Sequence, residues 1–497
     1  MSFDVAQLGI SAPLLALITA GVLLLLLEAF AGGTARGSAP NRSYLMPLTL
    51  AACGVGFALE LMAWSAADGP PKVIFGGMIT VDKLSIFVDC LFLAAAALTA
   101  MIAESYMREH RFEFGEFYAL LLFATAGMMI LGAASDLVTV FLGIETMSIA
   151  VYVLTGSWRR SPKSSEAAMK YFLTGAFATA ILLYGMALIY GAVGSTNLKV
   201  IAGEASRLSG QPLFLIGILF LVVALSFKIA AVPFHMWAPD AYEGAPSPVT
   251  GFMAAGVKAA AFATFIRLFG GTFARNELAF GSSGWATILS VIAVATMTLG
   301  NLAALKQDNI KRMLAYSSIS HAGYLLIGVV TLGLVGQDAR APLLFYLVAY
   351  TFTTIGAFGV VSWIGNRGDE RLQLDDWAGL ASRHPAAALA MTVFMLSLGG
   401  IPPTAGFFGK FYLFRAALEK PGMVPLIIIA VLNSVVSAAY YLRVITAMYF
   451  REVGREMQPI RARGMTAALI IATLATLFFG ILPAWLLNAA TAAAAGS

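Results

Sequence analysis

The chain has 497 residues, of which 60% are hydrophobic and only 11% charged, with a mean hydropathy of +0.84. Soluble domains carry roughly 25% charged residues, so a water-soluble core does not account for this composition, whereas a lipid-embedded bundle does. The net charge of +5 implies no nucleic acid partner and reads as membrane topology.

Along the chain, residues 1–8 contain Asp4 but no Lys or Arg, so the basic region of a cleaved signal is absent. The apolar run 8–30 therefore reads as a first permanent helix. Further runs of roughly 20 residues lie at 43–64, 79–103, 117–134, 137–157, 166–193, 213–243, 248–270, 284–304, 311–330, 341–364, 385–418, 423–450 and 464–488. The pattern predicts an all-α polytopic membrane protein of about fourteen transmembrane helices. No linker separates domains, so 1–497 reads as one transmembrane domain.

Loop charges set the orientation. Arg36, Arg42, Arg108, Arg111, Arg159, Arg160, Lys163, Lys306, Lys311, Arg312, Arg367, Arg371, Arg383, Arg451, Arg455, Arg461 and Arg463 all fall in the odd-numbered loops. The even-numbered side holds Lys72, Lys199, Arg207, Arg267, Arg275, Arg340 and Lys420. The positive-inside rule puts the odd-numbered loops in the cytoplasm and both termini on the periplasmic side of a bacterial inner membrane.

Spans 213–243 and 385–418 would each reach on the order of 45–50 Å as straight helices, against roughly 30 Å of hydrocarbon. Each carries breakers near its middle: Pro233 in the first, Pro402 and Pro403 in the second. Interrupted helices at matching positions suggest inverted repeats with a site near the midplane. The predicted repeats are 117–270 (helices 4–8) and 284–450 (helices 9–13), with helices 1–3 and 14 flanking them.

The informative residues are ionisable groups at mid-helix: Glu145, Lys228 and Lys258 near the centres of their spans, and Lys410 after the break in the twelfth. At roughly 2.5–3.5 kcal/mol each, they oppose insertion by on the order of 10 kcal/mol before pairing. Lys83, Arg415 and Arg443 lie near helix ends, where a long side chain snorkels to water. Lys170, four residues into its span, stands between the two readings. A lysine whose carboxylate partner comes and goes alternately holds and releases a proton, so Glu145 and Lys228 read as a charge-dependent switch. His235 and His321 are candidate relays between lysines, although a lone buried histidine commonly serves only as a hydrogen-bonding group. Tyr316, Ser317, Ser318 and Ser320 are placed to organise water near His321, although hydroxyls also commonly pack between helices.

Cys53 and Cys90 are isolated, the four histidines are scattered, and no nucleotide-binding loop occurs. The spacing thus offers no metal site and no cofactor site.

The tract from Phe227 to Asp240 (FKIAAVPFHMWAPD) resembles the signature of antiporter-like membrane subunits. These occur in proton-pumping NADH:quinone oxidoreductase (complex I), Mrp-type cation/proton antiporters and membrane-bound hydrogenases. The continuation from Ala241 to Thr250 (AYEGAPSPVT) is most similar to the complex I branch. The tracts 316–324 (YSSISHAGY) and 400–410 (GIPPTAGFFGK) resemble further family motifs. The likeness spans roughly residues 80–450. It implies that Glu145, Lys228, Lys258 and Lys410 carry protons, with no redox catalytic site in this chain. Flavin, iron–sulfur clusters, NADH and quinone would lie in partner subunits. The implied partners are other membrane-arm subunits, including further antiporter-like ones, together with lipids and protons. The alternatives are a subunit of a Na⁺(K⁺)/H⁺ antiporter or membrane-bound hydrogenase, and a structural scaffold whose central lysines are dispensable.

Overall fold

The computed structural model describes residues 6–31, 42–67, 69–274, 276–279, 281, 284–335, 339–366, 369–453, 459–460 and 462–496. Arg36, Arg275, Arg367, Arg455 and Arg461, counted above among the loop charges, lie outside the described residues. The long helices are α1 (Ala12–Ala31), α2 (Leu45–Ser65), α3 (Lys83–Glu109), α4 (Glu116–Ala133), α5 (Leu137–Thr155) and α6 (Pro162–Val193). They continue with α7 in two halves (Pro212–Lys228 and Trp237–Gly244), α8 (Ser247–Thr272), α9 (Trp285–Leu305), α10 (Ile310–Val335) and α11 (Arg340–Trp363). Last come α12, also in two halves (Pro385–Gly399 and Ala405–Leu418), α13 (Val424–Phe450) and α14 (Arg463–Ile481). Among the described residues, 12 helices are long and apolar enough to cross a membrane.

Polar residues start these helices. Asp82 accepts from the Ser85 amide at 2.8 Å while the Ser85 hydroxyl accepts from the Asp82 amide, a capping box that opens α3. Asp136 caps α5 through the Val138 amide, and Ser161 followed by Pro162 starts α6. The third span therefore begins at Lys83 rather than residue 79. The β-branched run Ile79–Val81 instead pairs with Lys72–Ile74 as a short antiparallel hairpin. The last span, expected as 464–488, is also divided: α14 stops at Ile481 and a second helix starts on Pro483.

Burial orders the bundle. The most apolar windows of α8, α10 and α11 are 100%, 94% and 94% buried, against 28% for α1 and for α2. Lys258 on α8 and Lys311 on α10 are thus enclosed by protein. The first half of α7 ends at Lys228, the chain bends through 229–236, which includes Pro233, and Ala230 adopts φ 57°. In α12 the break is Gly400 to Thr404, which includes Pro402 and Pro403. Gly400 takes φ 76°, and a Cβ there would stand 3.0 Å from Lys410 Cδ. Glycine is therefore required on two counts.

A row of buried lysines as the candidate functional site

Lys228, Lys258 and Lys410 are 5%, 2% and 5% exposed, and each ammonium is held by oxygens. Lys228, the last residue of its half-helix, donates to the Ser148 hydroxyl at 2.7 Å and the Tyr152 hydroxyl at 3.4 Å. Glu145, Ser148 and Tyr152 are spaced to share one face of α5. Lys258 follows a π-helical turn, Met253–Val257, and donates to both the carbonyl and the hydroxyl of Ser318 at 2.5 Å. π-turns re-aim the side chains around them and are frequent at functional sites. Lys410 reaches back across the α12 break to the Leu398 carbonyl at 3.0 Å and the Ser434 hydroxyl at 2.9 Å. The Leu398 and Gly399 carbonyls close the preceding half-helix, where its dipole favours a cation.

His321 occupies the space between the last two lysines. Its Nδ1 lies 2.7 Å from the Tyr346 hydroxyl and its Nε2 lies 3.1 Å from that of Tyr441. The Tyr441 hydroxyl is 2.5 Å from that of Ser317, which so joins the His321 network, while Ser318 holds Lys258 and Ser320 donates to the Tyr316 carbonyl. Its ring packs against Tyr350 and Tyr324 at centroid distances of 5.0 and 5.7 Å. The Lys258 ammonium lies 5.8 Å from the Tyr350 ring and that of Lys410 lies 4.9 Å from the Tyr324 ring. Beyond Lys410 the polar groups continue through Tyr324, Asn301 and Tyr440, whose hydroxyl donates to Asn301 Oδ1 at 2.9 Å. Hydroxyls and imidazole both donate and accept, so this row can pass protons between ammonium groups.

Three sequence expectations need correction. Glu145 and Lys228 are not in direct contact: Glu145 accepts from Thr179 on α6 at 2.7 Å, and Ser148, one turn along α5, holds Lys228. Ser148 stands three residues after Glu145 on the same face of α5, so its hydroxyl is what meets the ammonium while Glu145 takes Thr179. Lys170 is exposed and pairs with Glu166 and Asp240, both at 2.7 Å, so it belongs to a surface ion network rather than to the lysine row. His235 lies in the α7 break, half-buried, with its Nδ1 receiving no partner, and bonds to no lysine. Tyr324, Tyr346, Tyr350, Tyr441 and Ser434 were not anticipated, since tyrosine and serine carry no insertion cost that marks them in a sequence.

Lys311 was read as a loop charge, yet its side chain is 0% exposed. It donates to the Ala245 carbonyl at 2.7 Å and to Glu370 at 3.0 Å. The other Glu370 oxygen accepts from Tyr106 and Ser247, both at 2.5 Å. Burial alone would raise the Glu370 carboxyl, but the Lys311 ammonium and these hydrogen bonds outweigh it and hold the group below the usual carboxylate range. Among the described residues no group of three or more His, Cys, Asp or Glu is gathered to hold a metal.

Broken helices, enclosed lysines and a histidine–tyrosine bridge define an antiporter-like membrane subunit. The family model described as NADH:quinone oxidoreductase/Mrp antiporter, transmembrane, matches residues 134–437, and the chain belongs to this family. It is 45% identical over an alignment of 507 positions to NADH-quinone oxidoreductase subunit N 1 of Sorangium cellulosum, covering 98% of each protein. A chain of respiratory complex I from Thermus thermophilus with bound aureothin is 34% identical, with a TM-score of 0.77 over 96% of this chain and 98% of that one. A chain of the Mrp complex from Dietzia has a TM-score of 0.84 at 23% identity, covering 98% of this chain and 97% of that one, a likeness of fold alone.

Proposed function

We propose that this chain is a subunit N of a respiratory NADH:quinone oxidoreductase, an antiporter-like membrane-arm subunit that carries a proton channel. Redox chemistry in other subunits drives it, and flavin, iron–sulfur clusters, NADH and quinone are bound there. It crosses the bacterial inner membrane about fourteen times, with α7 and α12 as broken helices of two inverted repeats, 117–270 and 284–450, inside a single domain, and with both termini on the periplasmic side. Protons enter from the cytoplasm near Lys228, pass Lys258 and leave outward by Lys410. Glu145 biases Lys228 through the intervening Ser148. The observation that carries this reading is the row of polar groups between Lys258 and Lys410: Ser318 on Lys258, His321 bonded to Tyr346 and Tyr441, and the Lys410 ammonium over the Tyr324 ring.

Lys410 supplies the test. Lys410→Arg keeps the charge and the hydrogen-bond donors but cannot release a proton, since arginine stays protonated beyond about pH 12. Lys410→Ala removes both properties. A proton relay predicts that both variants assemble and both lose coupled NADH-driven quinone reduction and proton uptake, corrected for assembled complex. Near-normal turnover and pumping in Lys410→Arg would make this lysine a structural pin.

A further inference from the structure

Two acidic residues stand apart from the lysine row, before the family-matched segment 134–437. Glu60 on α2 and Asp89 on α3 are 4% and 6% exposed, and their carboxyl groups lie within hydrogen-bonding reach of each other. Asp89 Oδ1 is buried and receives no hydrogen bond. The nearest guanidinium, Arg267 on α8, is engaged elsewhere. It donates to Asp82 at 2.5 and 2.7 Å and to the Gly132 carbonyl at 2.9 Å. Asp82 and Cys90 are the other titratable groups facing the pair, while α1 and α4 present apolar Leu14, Met129 and Ile130.

Beside the pair is a cavity of about 30 Å³, the size of one water. Ile10, Pro13, Ala63 and Val81 line both it and a recess of about 340 Å³ at the end of the bundle that carries residues 69–82. Two carboxylates this close, without a cation, do not both remain ionised. Hard metal ions gather about six or more oxygens, and the hydroxyls of Ser11 and Ser85, which also line this cavity, already donate to the Gln7 and Asp82 carbonyls. A proton needs only the pair itself.

We propose that Glu60 and Asp89 form a proton-binding site in which one proton is shared between the two carboxylates and exchanges with water at the end of the bundle that carries residues 69–82. The site does not depend on the reading of the lysine row. It does touch it electrostatically, because the Asp82–Arg267 bridge joins α3 to the helix that carries Lys258.

The test uses the assembled complex in native membranes and dicyclohexylcarbodiimide, which adds to protonated carboxyl groups in apolar surroundings. Peptide mass mapping of the wild-type chain is expected to find an adduct on Glu60 or on Asp89, never on both in one chain, declining as pH rises. Glu60→Gln and Asp89→Asn each replace the carboxyl O–H with an amide N–H donor to the remaining carboxylate, so each single variant loses the adduct entirely. An adduct retained at full level in either variant, or found on both residues of one chain, overturns sharing. Infrared difference spectra of the purified wild-type complex read the same proton without reagent access or substitution, as a carboxylic C=O stretch that shifts in heavy water. Absence of both the adduct and that stretch in the wild type overturns the site.

Discussion

An ammonium group removed from water needs acceptors, and the three lysines obtain them differently. Lys228 takes two side-chain hydroxyls, Lys258 a serine hydroxyl and its carbonyl, and Lys410 the freed carbonyls of a broken helix. Removal of a negative charge near the first of these should change how readily it gives up its proton. Glu145→Gln keeps an acceptor for Thr179 and is expected to fold and assemble normally while impairing proton pumping in reconstituted vesicles. Glu145→Asp keeps the charge with a shorter reach and should be milder. Equal pumping by Glu145→Gln and wild type would leave Glu145 a structural residue. The lysines were legible in the sequence because a charge at the centre of an apolar run is too far from the helix ends to snorkel to water. The tyrosines and serines that link them were not, because their spacing gives no signal until the helices are packed.

At the scale of the element, Pro233 and the 400–403 tract announce a break, but not where the half-helices stop or what their ends hold. The Lys311–Glu370 contact shows the same limit. Its two residues are 59 apart and each looks like a solvated loop charge, yet they meet where the segment after α11 folds back under α10. Glu370→Gln leaves the Lys311 ammonium buried without its counter-charge, at a cost of about 3–5 kcal/mol. The Glu370 carboxyl is held low in the folded protein, so its contribution is present above the unfolded value of about 4.3 and fades as pH falls through the folded value. Thermal unfolding of the purified chain should therefore separate wild type from variant most at neutral pH. The gap should narrow only as pH falls below that unfolded value, and close once the folded carboxyl itself takes up a proton. A gap independent of pH would mean that packing rather than charge holds this contact.

On the proposed function, proton handling and redox chemistry fall to different subunits. The purified, partner-free chain is expected to carry no flavin, haem or iron, because neither its two separated cysteines nor its scattered histidines offer ligand spacing. Metal analysis and visible absorption check this, and stoichiometric iron or flavin would overturn it. The mostly helical membrane architecture was readable from hydropathy alone, since lipid permits few other solutions for the backbone. The small pieces between helices, such as the hairpin at residues 72–81 and the helix Leu198–Glu204, were not, because they are too short for periodicity to register.

The 32-residue length of α6 has a consequence for how the bundle sits in lipid. At 1.5 Å per residue it runs roughly 48 Å, well beyond the hydrocarbon thickness of about 30 Å. Its first turns carry Lys163, Glu166 and Lys170, whose partners Asp240 and Glu243 lie on the second half of α7. That ionic collar marks the water line. Residues 171–193 then rise roughly 34 Å, so a modest tilt relieves the remaining hydrophobic mismatch and the charged turns stand clear of the acyl chains.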